Sequence, residues 1–261
     1  MDLNLLTVGT VVTFLLILTR LSGMLVSSPL FSGQSIPAQI KIAIAIGLTL
    51  TLFPLHAAAK SYHAPDNLIQ LSALLAQEFV IGLCIGFTAD LIFAGIRMAG
   101  EFIGFQMGLS ISNLLDPQSG TVMPLMGQLL YIFAFMAFLS LNIHHGLIVA
   151  VDRSFSWLPI GNGLTRLDLL FERFLHFGAE MFGLALALAL PVIGILFIAE
   201  IALAFVAKVM PQMNIFMVAL PLKVALGLLL ISLSAPFLHG YLSDQYAGLI
   251  QNLLGLYQRV S

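Results

Sequence analysis

Long runs without any charged side chain dominate this sequence and limit it to folds that keep those runs away from water. Stretches that lack Asp, Glu, Lys and Arg include residues 3–19, 21–40, 42–59, 102–115, 117–151, 181–199 and 224–243. A helix needs about 20 mostly apolar residues to cross the hydrocarbon core of a bilayer. Most of these runs meet or approach that length, so they predict several membrane-spanning helices.

The scarcity of charge also excludes a soluble protein and several kinds of binding protein. Charged residues make up 8% of the 261 residues, whereas a soluble domain has about 25%. The formal net charge is −2 and the basic residues are scattered, which argues against a nucleic-acid partner. The single cysteine, Cys84, can form neither an intramolecular disulfide nor a thiol-pair metal site. We expect an integral membrane protein, or a subunit that hides nearly all of its surface in an apolar assembly, and residues 3–19 are expected as a retained first helix.

Hydropathy and turn residues together predict an all-α membrane protein of about six long, partly kinked helices arranged in hairpins. The helices are expected at residues 3–22, 38–57, 67–103, 122–151, 170–209 and 214–240. Loops are expected at residues 58–66 and 152–168. Pro191 is expected to kink the fifth helix, and a tight turn at residues 210–214 leads into the sixth.

Charged side chains inside the predicted helices indicate that these helices face protein or water, because a charge that faces lipid costs several kcal/mol. Two interpretations fit the third helix. The carboxylates of Glu78, Asp90 and Glu101 could relay protons in a transporter. They could instead pair with Arg97, which lies four residues before Glu101, or with charges on neighbouring subunits. Such pairs would hold the subunits of an assembly together.

Three more charges near the end of the fifth helix and the start of the sixth allow two interpretations. Glu200 and Lys208 lie about two helical turns apart, and Lys223 follows the turn between the helices. They could form salt bridges between subunits. Alternatively, the lysines could extend toward lipid head groups.

Glycines at four-residue spacing predict close helix packing. Gly82 and Gly86 form one such pair, and Gly100, Gly104 and Gly108 form two overlapping G-x-x-x-G steps. At this spacing glycines line one face of a helix and let another backbone approach closely. These helices are therefore expected to pack against neighbours.

Residues 100–124 break the apolar pattern. They read GEFIGFQMGLSISNLLDPQSGTVMP, in which a Gly-rich apolar helix runs into a polar, turn-forming stretch. Pro117 lacks an N–H group and biases Asp116 away from helix, so a turn is expected there. The stretch could be an exposed hairpin between two spans. It could also line a pore, because irregular backbone at membrane depth persists only inside protein or beside a watery cavity.

Three motifs in order resemble the FliR family, the flagellar type III export-gate subunits, whose counterparts are the T subunits of virulence secretion systems. The motifs are FSGQSIPAQIKIAIAIGLTL at 31–50, GFQMGLSISNLLDPQSG at 104–120 and VMPQMNIFMVALPLK at 209–223. The resemblance covers essentially the whole chain.

The resemblance implies a place in an assembly. One copy of the chain would join several copies of FliP and FliQ in a gate for unfolded flagellar proteins. Residues 1–168 would be FliP-like, and residues 169–261 would form a FliQ-like hairpin and tail. The gate would sit in the bacterial inner membrane at the core of the basal body, in contact with lipid. FlhB and FlhA would lie beside it, and rod or hook–basal-body proteins above it.

The resemblance also implies a pore-facing plug at residues 106–122, which we name the plug segment. Its apolar residues would seal the closed channel, since hydrophobic constrictions gate by dewetting. Gly108, Asp116 and Pro117 would set its backbone. The plug residues would be Gln106, Met107, Gly108, Leu109, Ile111, Asn113, Leu114, Leu115, Asp116 and Pro117.

The sequence carries no signature of an enzyme or of a cofactor site. It lacks a nucleophile elbow, a P-loop and a dinucleotide fingerprint. Met210, Met213 and Met217 are more typical of adaptable packing than of a metal site. A secondary transporter that couples through Asp90 and Glu101 is the main alternative, but no internal repeat supports it. A scaffold without a pore is the third possibility.

Overall fold

A computed structural model describes residues 8–31, 36–57, 67–109, 124–160, 167–212 and 214–260. Within these ranges the chain forms helices and no β-strand, so the predicted all-α membrane fold is confirmed. The helices are α1 (Val8–Ser27), α2 (Ala38–Ala57), α3 (Leu68–Gln106), α4 (Leu125–Ser140), α5 (Ile143–Trp157), α6 (Leu167–Val209) and α7 (Ile215–Val260).

Five of the described helices are long and apolar enough to cross a membrane. They are α1, α2 and α3, together with the apolar stretches Leu175–Val209 of α6 and Met217–Leu238 of α7. The pair α4 and α5 would make a sixth, broken span. The expected count of about six helices is therefore close to the number of spans.

The predicted continuous helix over 122–151 is wrong, because the chain breaks it at Leu141 and Asn142. Asn142 has φ 55°, in the left-handed region, and a left-handed residue cannot continue a right-handed helix. The expected end of the sixth helix at 240 is also too early, since α7 continues to Val260.

Three helices are much longer than a bilayer requires. Helices α3, α6 and α7 contain 39, 43 and 46 residues. At a rise of 1.5 Å per residue they correspond to about 58, 64 and 69 Å of helix, whereas the hydrocarbon core is about 30 Å thick. A large part of each helix therefore extends beyond the length of a simple span.

Contacts within the chain divide it into two compact units. The first combines residues 1–91, 142–176 and 246–261, and the second combines residues 92–141 and 177–245. The division expected between residues 168 and 169 separates a FliP-like part from a FliQ-like part. It does not concern contacts within the chain, and it stays a prediction.

In the first unit, α1 packs on the N-terminal part of α3 backbone to backbone. A Cβ atom added to Gly82 would overlap the carbonyl oxygen of Arg20, and one added to Gly23 would overlap that of Phe79. Small residues at both positions permit this approach, as in other membrane helix pairs. The Ser27 hydroxyl lies 3.0 Å from the carbonyl oxygen of Leu83.

In the second unit, the C-terminal part of α3 crosses α4 at two glycines. A Cβ atom added to Gly100 would come 2.5 Å from the Cα of Gly127. Next to this crossing the buried ring of Phe93 lies 5.5 Å from the rings of both Tyr131 and Phe138. Edge and tilted contacts of this kind add to the area that the rings bury.

Candidate functional site: the C-terminal end of helix α3

Helix α3 ends in a Schellman motif immediately before the polar part of the plug segment. Gly108 has φ 81°, a conformation that glycine adopts without a steric penalty. Its N–H donates to the carbonyl of Phe105 over 3.0 Å, and the Leu109 N–H donates to that of Gly104 over 3.0 Å. These are the two hydrogen bonds of the motif. The residue at 108 therefore determines where α3 stops and in which direction the chain leaves it.

Met107 lies in a pocket that exists because residue 227 is a glycine and has no side chain. It is completely buried, and a Cβ atom added to Gly227 of α7 would lie 2.6 Å from its sulfur. The thioether thus occupies the space that any larger residue at 227 would need. Met107 packs inside this chain, between the end of α3 and α7.

Gln106 joins two further helices through one carboxylate. Its Nε2 donates to Oε2 of Glu200 on α6 over 3.0 Å. Lys223 on α7 donates from Nζ to the other oxygen, Oε1, also over 3.0 Å. Of the three charges expected to act between subunits or toward lipid, Glu200 and Lys223 therefore pair within the chain. The third, Lys208, is exposed on α6.

A second polar cluster lies in the first unit and involves Glu78. The Arg20 Nε donates to Glu78 Oε2 over 2.6 Å, and both side chains are fully buried. The other guanidinium nitrogens donate to the Ser154 hydroxyl over 2.9 Å and to the Leu158 carbonyl over 3.0 Å. The guanidinium carbon lies 4.2 Å from the centre of the Phe155 ring. The buried charges are therefore paired and hydrogen-bonded, as such charges must be.

Sequence reasoning missed this partner of Glu78. We expected Arg97 or another subunit, but the partner is Arg20, which lies 58 residues away in sequence. One signal could have pointed to it, because an arginine that follows an uncharged helical run needs an acidic neighbour.

The comparisons with known proteins agree on one family. The family described as "Bacterial export proteins, family 1" matches residues 11–249. The chain is 35% identical over 222 residues to the flagellar biosynthetic protein FliR of Bacillus subtilis, covering 84% of each chain. It is 32% identical over 236 residues to FliR of Escherichia coli, covering 87% of each. The chain belongs to the FliR family. It is a component of flagellar biosynthesis and export.

The other charges expected on α3 of this FliR-family chain have different surroundings. The guanidinium carbon of Arg97 lies 5.3 Å from the centre of the Tyr131 ring, within cation–π range. Asp90 is half-buried and Glu101 is exposed. The structure thus brings Glu78 to Arg20 on one part of α3 and places Arg97 over an aromatic ring on the other.

The four glycines of α3 that are expected to pack closely, Gly82, Gly86, Gly100 and Gly104, differ in the space around them. Gly82, Gly86 and Gly100 each face backbone atoms of the same chain at distances too short for a side chain. Gly104 is different, because an added Cβ would lie 3.4 Å from the Cβ of Met126, an ordinary contact. A methyl group fits there.

The residues expected to form the plug fall partly within the described chain. Gln106, Met107, Gly108 and Leu109 belong to it and form the α3 terminus. The others lie outside the described residues: Ile111, Asn113, Leu114, Leu115, Asp116 and Pro117. Of the three methionines considered above, Met210 and Met217 are exposed, and Met213 lies outside the described residues.

Proposed function

We propose that this chain is a pore-forming subunit of the flagellar type III protein export gate. One copy would assemble with FliP and FliQ, and its plug segment would seal the closed channel through which unfolded flagellar proteins pass. Its place would be the bacterial inner membrane at the core of the basal body, beside FlhB and FlhA and below rod or hook–basal-body proteins.

The observation that carries the proposal is the construction of the α3 terminus. A flexible surface hairpin needs no such fixing, yet here the start of the plug segment is held by the turn at Gly108, by the buried Met107 and by the Gln106–Glu200 hydrogen bond. A channel plug must return to one position each time the channel closes. An anchored starting point supports that requirement.

The helices support an assembly as well. Within an apolar 18-residue window of each stretch, only 11% of the residues in Met217–Leu238 and 17% of those in Ala38–His56 are buried within the chain. Large apolar side chains are therefore exposed along α2 and α7, and they require either lipid or other subunits. The excess length of α3, α6 and α7 favours a subunit that extends above the membrane plane.

In this mechanism the apolar residues of the plug segment keep the closed channel dry. A narrow apolar constriction excludes water and ions without any covalent chemistry. The passing protein would displace the segment, and the anchored end on α3 would guide its return. The energy for transport would come from partner proteins.

Deleting residues 110–120 tests the proposal. The ion conductance of membranes that contain the assembled gate should rise, while native gels show the mixed complex in normal amount. Replacing Leu114 and Leu115 by glycine should give a smaller rise, because the loop then keeps its length but loses its sealing side chains. Unchanged conductance in both variants would overturn the plug.

A further inference from the structure

We propose that the end of the α6–α7 hairpin lies in one leaflet of the membrane and that Lys208 binds the phosphate of an anionic phospholipid there. We define the hairpin end as residues 201–222, which comprise the last turns of α6, the connecting turn and the first turns of α7. This binding concerns a different part of the chain from the plug segment and does not depend on it.

The length of α6 leaves open which part of the helix lies in lipid. Its apolar stretch Leu175–Val209 contains 35 residues, which correspond to about 52 Å of helix, whereas the hydrocarbon core is about 30 Å thick. Burial within the chain distinguishes the two parts of the stretch. Leu196 is the last buried residue of α6, and none of the described residues between 197 and 226 is buried. The hairpin end therefore takes its surroundings from outside the chain.

The exposed surface of the hairpin end extends around most of α6 rather than along one stripe. Exposed residues run around the helix from Ala204 through Phe205 to Val206, an arc of about 200° at 3.6 residues per turn. Only Leu203 and Ala207 on the remaining side are half-buried. A protein partner would cover one face of a helix, whereas a helix that is apolar nearly all round is typical of a membrane. The arc therefore favours lipid as the occupant.

Apolar bands of equal length follow the Glu200–Lys223 pair on both helices. Residues 201–207 of α6 and 215–222 of α7 contain no polar side chain. Each band corresponds to about 12 Å of helix, close to the roughly 15 Å of hydrocarbon in one leaflet. At the inner end of the bands, Glu200 pairs with Lys223 and accepts from Gln106, each over 3.0 Å. No uncompensated charge of this pair therefore enters the apolar level.

Lys208 lies at the outer end of the band on α6, close in sequence to the polar turn that leads into α7. It is the one charged residue of the hairpin end, and it is exposed, as are Gln212 and Asn214 in the turn. A lysine at this position extends its ammonium group toward the head groups, where anionic lipids attract it. No Asp or Glu occurs between residues 201 and 243, so the hairpin presents no carboxylate that would repel a phosphate.

The first measurement uses mass spectrometry to count the phospholipids that stay bound to the full chain after extraction into mild detergent. The chain is reconstituted beforehand in vesicles with equal amounts of phosphatidylglycerol and phosphatidylcholine. Lys208→Gln should lower the ratio of bound phosphatidylglycerol to phosphatidylcholine about three- to sixfold, because a lysine near an anionic surface contributes about a factor of five. Lys208→Arg should keep the parent ratio, since the charge remains. An unchanged ratio in Lys208→Gln would overturn the site.

Arg153→Gln is the matched control, because it also removes an exposed positive charge, in this case from α5. Its ratio of bound lipids should stay close to that of the parent. A fall as large as that of Lys208→Gln would mean that phosphatidylglycerol is attracted to any exposed cation, and the specific site at Lys208 would be lost.

The second measurement locates the hairpin end in the bilayer and distinguishes lipid from a protein partner. In a Cys84→Ser background, a fluorophore is attached to the thiol of Phe205→Cys or of Gln212→Cys. Lipids brominated in their acyl chains should quench the label at 205 strongly and the label at 212 weakly, since 212 lies at the head-group level. Equal quenching at the two positions would contradict the proposed depth.

The same quenching pattern is expected when the chain is prepared together with FliP and FliQ. If quenching at 205 occurs for the chain alone but disappears with these partners, helices of a partner cover the hairpin end and the lipid site is overturned. Absence of quenching at 205 in both preparations would overturn it as well.

Discussion

The guanidinium of Arg20 and the carboxylate of Glu78 meet over 2.6 Å, with both side chains fully buried, in a chain that has very few charges. The Ser154 hydroxyl, the Leu158 carbonyl and the face of Phe155 complete the surroundings of the guanidinium. The cluster joins α1, α3 and α5 within the first unit. It accounts for Glu78 as a residue that holds helices together, rather than as part of a proton relay.

Replacing one member of the Arg20–Glu78 pair should lower the stability of the chain more than replacing both. Arg20→Leu or Glu78→Leu leaves an uncompensated buried charge and should cost about 3–5 kcal/mol. The double variant should be more stable than either single one, because no charge is left alone. Thermal unfolding of the chain in detergent measures this. A double variant as unstable as the sum of the two would contradict the ion pair.

The close crossing of α1 and α3 predicts that Gly82 tolerates no side chain. Gly82→Ala places a methyl group on the Arg20 carbonyl oxygen, so the helices must separate and the amount of folded chain in the membrane should fall. Gly47→Ala is the matched control, since an added Cβ there meets nothing within 4 Å. Gly104→Ala should also be tolerated. Equal loss at all three positions would show that backbone approach is not the cause.

The left-handed turn at the end of α3 predicts a graded response at residue 108. Gly108→Ala should cost about 1–2 kcal/mol and misdirect the start of the plug segment. Gly108→Asn should cost less, because asparagine adopts this conformation more readily than alanine. Ion conductance of assembled gates should rise for alanine more than for asparagine. The reverse order would argue against a turn of this type.

The Met107 pocket predicts a compensating pair of substitutions. Gly227→Ala should displace the buried thioether and lower thermal stability, and Met107→Ala should leave a cavity worth about 2–5 kcal/mol. Combined, the new methyl group on α7 partly fills the space left by the methionine. The double variant should therefore lose less stability than the sum of the single losses. Strict additivity would mean that the two residues do not share a pocket.

Local patterns in the sequence were sufficient to predict the positions of individual helices. Residues 38–57 were predicted as one helix and form α2 with those bounds, because an apolar run flanked by turn residues carries its own limits. The break at Asn142 was not foreseen, since hydropathy continues through it and one left-handed residue leaves no periodic signal.

Contacts between residues that are far apart in the sequence could not be predicted from local patterns. The Arg20–Glu78 pair spans 58 residues and the Gln106–Glu200 pair spans 94. Periodicity relates residues within a few turns of one helix, so it cannot choose partners on different helices. The sequence did indicate that residues 106–109 begin a special segment. It did not indicate that Glu200, Lys223 and Gly227 would hold them.

The most direct test of the account is a density map of the intact gate with all its subunits, determined by electron cryomicroscopy. We expect residues 106–122 of this chain inside the central channel and surrounded by helices of other subunits. Density for the same residues on the outer rim, facing solvent or lipid, would contradict the plug.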